Sequence, residues 1–424
     1  LGGDGSLIAW GTVFACARRA CMLDVARVRE DFPLLKTGIV YLDSVATSLT
    51  PRQVVEAMDR YYAEYRANVG RGIYELARRA SEAYEEARRA VAKFINAEGR
   101  GEVVMVKNTT EAINLVAHSL KWRKGDKVVT TLLEHHSNYL PWLKCAQRYG
   151  VKVEVVRPSR EGFLDLGEVE RVVDDNTRLV AVTHVSNVLG VVTPVKEIAE
   201  IAHEHGALML VDGAQSVPHF RVDVSRLKCD FLAFSGHKMC GPTGSGGLFI
   251  GREAWSELDP VFIGGGTVEE VDVGSFALLS GPARFEAGTP MIAEAIGLRA
   301  AVEYLERLGM DSVEEHERRL GRRLHEGLAE LPGVEVYGPE PRYKLGITSF
   351  NVEGLDPHEV AMILDASRIA VRSGMHCAQP LIKRVLGLAR GTVRASVYLY
   401  NTEEDVERLL SAVEELARSV GRHS

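Results

Sequence analysis

Between Val103 and Ile250 the chain alternates short runs of β-branched residues with longer stretches of helical periodicity. Strands are expected near Val103 to Val106, Lys127 to Thr131, Lys152 to Val156, Leu179 to Thr183, Leu208 to Val211, Phe231 to Phe234 and Gly247 to Ile250. Helices are expected near Glu111 to Leu120, Tyr139 to Tyr149, Leu166 to Val173 and Val195 to His205. Strand followed by helix, repeated this often, predicts a mainly parallel, seven-stranded sheet covered by helices on both faces. In such a sheet ligands gather at the carboxyl ends of the strands, so polar residues just past each strand are the ones to inspect.

Around this unit the pattern differs. Val54, Val55, Met58, Tyr61, Tyr62 and Tyr65 recur at helical spacing after Pro51, and a second amphipathic helix runs from about Leu76 to Ile95. After about Phe285 long helices precede short strands near Val334 to Tyr337, Ile347 to Val352, Ala370 to Arg372 and Val393 to Ser396, with a last helix from Glu403. This predicts a smaller α+β domain. The division expected is a large domain over 39–285, a small C-terminal domain over 286–424, a segment 22–38 packing on the small domain, and an extension 1–21 outside the fold. Leu1 to Cys21 has no basic stretch ahead of an apolar one, as a signal peptide would, and Met22 opens a helical pattern.

Composition removes several classes of function. A net charge of -7 gives no footprint for nucleic acid, and no apolar run approaches the ~20 residues of a membrane span. The six cysteines form no C-x-x-C pair and no regular spacing, which argues against a metal or disulfide framework and for a reducing cytoplasm.

The residues past the strands carry the chemistry. Lys238 follows Phe231 to Phe234 in Phe234-Ser235-Gly236-His237-Lys238. Desolvated in a crowded pocket, its amine would lose proton affinity and could attack an aldehyde to give a Schiff base; a loop lysine solvating a turn is the plainer reading. Asp212, one strand earlier and 26 residues before Lys238, ends Leu208 to Val211 and tips the balance toward a site. Lys107-Asn108-Thr109-Thr110-Glu111 opens a helix with capping-box spacing, and free N–H groups beside hydroxyls suit a phosphate. In Glu134-His135-His136-Ser137-Asn138 the adjacent histidines face opposite ways, so one imidazole is expected to stack on a planar ligand rather than share a metal. Cys377 lies in a polar, Gly-containing loop with Arg372 and His376, where an exposed and activated thiol is expected. Arg394 adds a guanidinium suited to a carboxylate, although either arginine taken alone is more often a surface ion-pair partner.

Taken together, Tyr41-Leu42-Asp43, Asn108 to Glu111, Glu134 to Asn138, Val211-Asp212-Gly213-Ala214-Gln215, Ser235 to Lys238, Glu286-Ala287-Gly288-Thr289-Pro290, Arg372 to Pro380 and Arg394-Ala395-Ser396 resemble fold-type I pyridoxal phosphate (PLP) enzymes. The resemblance is to the cysteine desulfurase and selenocysteine lyase branch of the class V aminotransferases, and the compact loop at Cys377 is similar to the SufS-like group. It implies that Lys238 links to the cofactor and moves the substrate α-proton, while Asp212 keeps the pyridine nitrogen protonated. His135 would stack on the ring and Gln215 would bond its phenolic oxygen. Thr109, Thr110, Ser235 and His237 would hold the phosphate, with Thr289 reaching in from a second subunit. Asn187 would approach the ring or substrate, and Arg394, with Arg372 nearby, would bind the substrate carboxylate. Cys377 would take sulfur from L-cysteine as a persulfide, leaving alanine for release and sulfur for an acceptor protein or iron–sulfur scaffold. The resemblance also implies a homodimer.

L-Selenocysteine lysis, transamination or another β-elimination keep the same cofactor, and a cofactor-free sulfur relay is the reading of a different class. The chain departs from the family pattern at Gly70, Ser373 and Met375; Gly70 and Met375 each stand where an imidazole is usual near the entrance to the site.

Overall fold

The computed structural model describes residues 23–421, so the expected extension 1–21 and Met22 lie outside the described residues. Seven strands form the central sheet in the order Gly101–Val106, Gly246–Gly251, Phe231–Ser235, Leu208–Asp212, Thr177–Thr183, Lys127–Thr131, Lys152–Val156. All neighbours run parallel except at Gly246–Gly251, which is antiparallel to both of its partners. Side chains alternate strictly across the sheet, as the pleat requires. Met209, Val211, Leu232 and Phe234 enter one apolar cluster, whereas Leu210, Phe231 and Ala233 enter the other with Ala112, Ile113 and Val116 of the helix Thr109–Ser119. By the same alternation Asp212 and Ser235, the last residues of their strands, take the side of that helix.

The C-terminal part is a four-stranded antiparallel sheet in the order Val334–Tyr337, Ile347–Val352, Thr392–Ser396, Arg372–Gly374. Its apolar layer joins Leu320, Leu324 and Leu328 of helix Met310–Ala329 to Val360 and Leu364 of Pro357–Ala366 and to Val406 and Leu409 of the last helix. The strand expected at Ala370 to Arg372 is two strands. Ile369–Ala370 pairs in parallel with Val40–Tyr41, and Arg372–Gly374 pairs with Thr392–Ser396.

That first pairing brings the N-terminal segment to the functional region. Phe32 stacks edge-on against Tyr400 at 4.9 Å, and Arg29 donates to the Tyr400 carbonyl at 2.7 Å and to Asp405 at 3.0 Å. The chain then leaves Val40–Tyr41, forms a bridge between Asp43 and Ser396, and reaches the His237 carbonyl through the Ser48 amide at 2.9 Å. Asp43 to Ser48 therefore crosses the seam between the two sheets. A hairpin, Val268–Asp272 with Ser275–Leu278, had no sequence signal and exposes Val271, Val273 and Phe276.

Candidate active site

At the end of Phe231–Ser235 the chain turns through Gly236–Lys238 in a tight single helical turn. A side chain at Gly236 would lie 2.1 Å from Ser245 Oγ, so only glycine allows this turn to sit against Gly246–Gly251. Lys238 emerges half-buried, and burial lowers its amine to about 8. The charges of Asp212 and Cys377 oppose that shift, whereas Arg394 and Arg372 add to it. One amine thus lies within the fields of residues 26 and 139 positions away.

Asp212 is buried, and its Oδ1 accepts from the Ala214 amide at 2.9 Å. Burial pushes its carboxyl up, with that bond and Lys238 pulling it back. Gln215 is also buried; its Nε2 donates to the Val45 carbonyl at 2.9 Å and its Oε1 has no partner.

The helix Thr109–Ser119 begins where expected. Asn108 Oδ1 accepts from the Glu111 amide at 2.9 Å, but the Glu111 carboxylate reaches back to the Lys107 amide, so the capping box is displaced by one residue in its return arm. Ser235 Oγ accepts from the Thr109 amide at 2.8 Å and lies 2.7 Å from Thr109 Oγ1. Exposed Thr110 pairs its hydroxyl with Ser137 Oγ at 2.7 Å, and Ser137 in turn meets His135 Nδ1 at 3.0 Å. His237 Nδ1 lies 3.2 Å from Thr47 Oγ1. These hydroxyls gather round a positive helix end, an arrangement that suits a phosphate.

His135 is held neutral at about 3, first by burial and then by Lys238, His136 and Arg394. On the far side, the buried Asn187 donates to the His376 carbonyl at 2.8 Å, and its own carbonyl accepts from Arg394 at 2.9 Å. Arg394 is buried at 2% exposure, which pulls its guanidinium down to about 10, and its Nε has no partner. Asp43 joins it at 3.2 Å and joins half-exposed Arg372 at 3.1 Å.

Cys377 is an exposed free thiol. It and His376 both take positive φ, +54° and +47°, in a backbone region that non-glycine residues rarely occupy. The strained pair is pinned from three sides. The Cys377 carbonyl accepts from the His136 amide at 2.7 Å, the His376 ring reaches the Thr392 carbonyl at 3.0 Å, and Asn187 holds the His376 carbonyl. Strain maintained in this way is a mark of functional loops.

Lys238, Asp212, His135, Thr109, Thr110, Ser235, His237, Asn187, Arg394, Arg372 and Cys377 are thus linked through direct contacts and mutual fields, whereas the side chain of Gln215, three residues past Asp212, bonds the Val45 carbonyl. Thr289 is not among them. It is exposed and lines a separate cleft with Asn68, Gly70, Arg71 and Glu286. Gly70, one of the departures, therefore lies with Thr289, whereas Met375 packs against the main apolar cluster beside the Cys377 loop. Among the described residues no group of three or more His, Cys, Asp or Glu could hold a metal. The sequence reading assigned no role to Asp43, Thr47 or Ser137. Its available signals were the charge directly after Val40-Tyr41-Leu42 and the hydroxyls flanking known motifs.

The residues present fit pyridoxal phosphate. A lysine of lowered proton affinity stands near a buried carboxyl, the Gln215 oxygen and Arg394 Nε are buried and unpartnered, and hydroxyls ring a helix start. Comparisons with known proteins agree. The aminotransferase class-V profile matches residues 40–409. A Pyrococcus abyssi protein named "Probable cysteine desulfurase" is 50% identical over 397 residues, 93% of this chain and 98% of its own. The cysteine desulfurase structure from Thermococcus onnurineus superposes with a TM-score of 0.90 at 48% identity, covering 94% of this chain and 100% of that one. A C-DES mutant with glycine covalently linked to its PLP cofactor superposes at 0.80 and 25% identity, covering 91% and 99%. Strand order, polar site and sequence agree on one assignment: the chain belongs to the class-V aminotransferase family, in its cysteine desulfurase branch.

Proposed function

We propose that the chain converts L-cysteine to L-alanine with pyridoxal phosphate and passes the sulfur on as a persulfide of Cys377. The observation that carries this reading is the exposed Cys377 thiol on a strained, pinned loop within the electrostatic reach of Lys238 and Arg394. When bound, the cofactor supplies an aldehyde that links to amines and a ring that absorbs the electrons released at the substrate α-carbon.

Arg394, with Asn187 fixing its NH1, binds the α-carboxylate and orients the substrate. Lys238 Nζ, poised to give or take a proton near neutral pH, moves the α-proton. His135, kept neutral, would stack on the ring, Asp212 would hold the proton at its nitrogen, and Gln215 would bond its phenolic oxygen. Thr109, Thr110, Ser235 and His237 would hold the phosphate. Cys377, as thiolate, attacks the substrate sulfur; the S–S bond forms as the Cβ–S bond breaks, and the carbon keeps the bonding pair and gains a proton, giving alanine.

The large part, 39–285, holds the cofactor, and 286–424 contributes Arg394 and Cys377, with segment 22–38 packed against it. A homodimer is supported by Thr289 and Gly70, which line a cleft apart from Lys238 and become useful if that cleft completes a partner's site. The persulfide then goes to an acceptor protein or iron–sulfur scaffold. A cytoplasmic setting is supported by Cys145, Cys229, Cys240 and Cys377 all being free thiols. No helix among the described residues is long and apolar enough to cross a membrane.

The test is anaerobic incubation with L-cysteine, with alanine measured and Cys377 analysed by mass. One alanine per Cys377 persulfide is expected in the absence of thiol. Alanine production undiminished by Cys377→Ala would overturn the persulfide step.

A further inference from the structure

Two guanidiniums and one carboxylate meet at the seam between the sheets. Asp43 Oδ1 accepts from Arg394 NH2 at 3.2 Å, and its Oδ2 accepts from Arg372 Nε at 3.1 Å. Arg394 is buried, with NH1 engaged by Asn187 and Nε unpartnered. Arg372 is half-exposed. Lys238 and Arg394 both lie within the fields of Arg372 and Cys377.

The charge count is what matters. Arg394 and Arg372 contribute two positive charges and Asp43 removes one, leaving a single net positive charge beside the buried, unpartnered Nε of Arg394. That matches a substrate with one acidic group. We infer that Asp43 is a specificity-determining residue: by tying down Arg372, it reserves Arg394 for the α-carboxylate and denies a second cation to amino acids with an anionic side chain. Discrimination of this kind comes from withholding a partner for the wrong ligand rather than from improving the right one. Asp43 reaches the seam because Val40–Tyr41 pairs with Ile369–Ala370 and the Asp43 backbone bridges Ser396. It therefore acts through the arginines as a positioning residue.

The inference rests on the desulfurase reading for the location of the substrate, and the experiment separates the two. Dissociation constants for L-alanine and L-cysteate, which differ by a side-chain sulfonate, are measured by calorimetry on the cofactor-loaded enzyme and its variants. For Asp43→Asn the cysteate-to-alanine ratio of dissociation constants is expected to fall by about twofold to fivefold, within the range of one partly screened ion pair. Asp43→Glu, which keeps the charge, should retain the wild-type ratio. Adding Arg372→Gln to Asp43→Asn should cancel the gain.

An unchanged ratio in Asp43→Asn, or the same fall in the double variant, overturns the inference. Should Asp43→Asn not fold, Arg372→Gln alone decides, since Arg372 is at the surface. It leaves Asp43 entirely to Arg394 and should weaken alanine binding about fivefold; unchanged binding overturns the inference. Alanine formed from cysteine by the same wild-type preparation is recorded in parallel. Its absence would count against the desulfurase reading, whereas its presence with an unmoved ratio counts against Asp43 alone.

Discussion

The amide of His136 donates to the carbonyl of Cys377 at 2.7 Å, and the ring of the same histidine accepts from the Gln379 amide at 3.2 Å. One residue therefore holds the loop on both sides of the nucleophile. Burial lowers the proton affinity of this imidazole, which preserves Nε2 as an acceptor. His136→Ala keeps the backbone bond and loses the ring. The rate of persulfide formation is expected to fall about tenfold, because misplacing a reacting group by a fraction of an ångström is costly. Alanine affinity should change less than about twofold, since Arg394 is untouched. Rapid-quench measurement of the Cys377 persulfide checks the rate, and an undiminished rate would show that the ring does not position the loop.

Lys238 should titrate at about 8, against an ordinary lysine value of 10.5. Desolvation disfavours the ammonium, so the reactive neutral amine appears as pH rises through about 8. Asp212 opposes the shift, which fixes the sign for Asp212→Asn: the midpoint moves lower still. The rate at which an amine-specific reagent labels Lys238 in cofactor-free protein, followed by peptide mass against pH, reads this directly. A midpoint near that of exposed lysines would contradict the pocket described above.

Much of this was legible in the chain because the strongest signals were local. The strands of the large sheet fall close to where they were expected; Asp212 closes its strand, and Lys238 and Thr109 stand just past the ends of theirs. The Cys377 loop was legible from its residue types. Asp43 was not, because its role depends on a parallel pairing of only two residues, Val40–Tyr41 with Ile369–Ala370, across more than 300 positions. Neither residue pair carries a periodic pattern. The split of the strand expected at Ala370 to Arg372 has the same cause, since one short extended run, Ile369 to Gly374, serves two partners. The hairpin at Val268–Asp272 was hidden because its strands are short and exposed, and the first carries the adjacent charges Glu269 and Glu270.

Glu286 was legible only as part of a motif, and its contacts explain its presence. It meets Arg88 at 2.5 Å and accepts from the Met105 amide at 2.7 Å and the Tyr84 hydroxyl at 2.9 Å, while Arg88 also donates to the Val103 carbonyl at 2.8 Å. The pair ties helix Glu75–Phe94 to the edge of the sheet. Glu286→Ala leaves the buried Arg88 guanidinium with only the half-exposed Glu85 carboxylate, 3.2 Å away, as counterion and should cost about 3 kcal/mol. Glu286→Gln, which keeps an acceptor, should cost less. Urea unfolding of both variants checks the order, and equal losses would assign the effect to the lost charge instead of to packing or the retained acceptor.

Glu134 and the buried histidines should give the stability a pH optimum. His135, His184 and His376 are each held down to about 3 by burial, from an ordinary value of 6.5. Below 6.5 the unfolded chain binds protons that the folded chain refuses, so their contribution is complete above about 6.5 and is lost as pH falls. Glu134 works in the opposite sense. Burial raises it to about 8, with Asp212 adding to the shift and its bonds from Thr131 at 2.7 Å and Asn138 at 2.6 Å opposing it. Between 4.5 and about 8 the folded chain keeps a proton that the unfolded chain has lost, so stability falls as pH rises across that window. Above about 6.5 these histidines are silent, and Glu134 should contribute a decline of at most about 1.4 kcal/mol per pH unit. Glu134→Gln imitates the protonated acid, with an amide that can donate to Thr131 Oγ1 while its carbonyl accepts from Asn138. Denaturant midpoints at pH 6.5 and pH 8 should therefore lie closer together in the variant than in wild type, and an equal separation would mean that Glu134 is already ionised in the folded state.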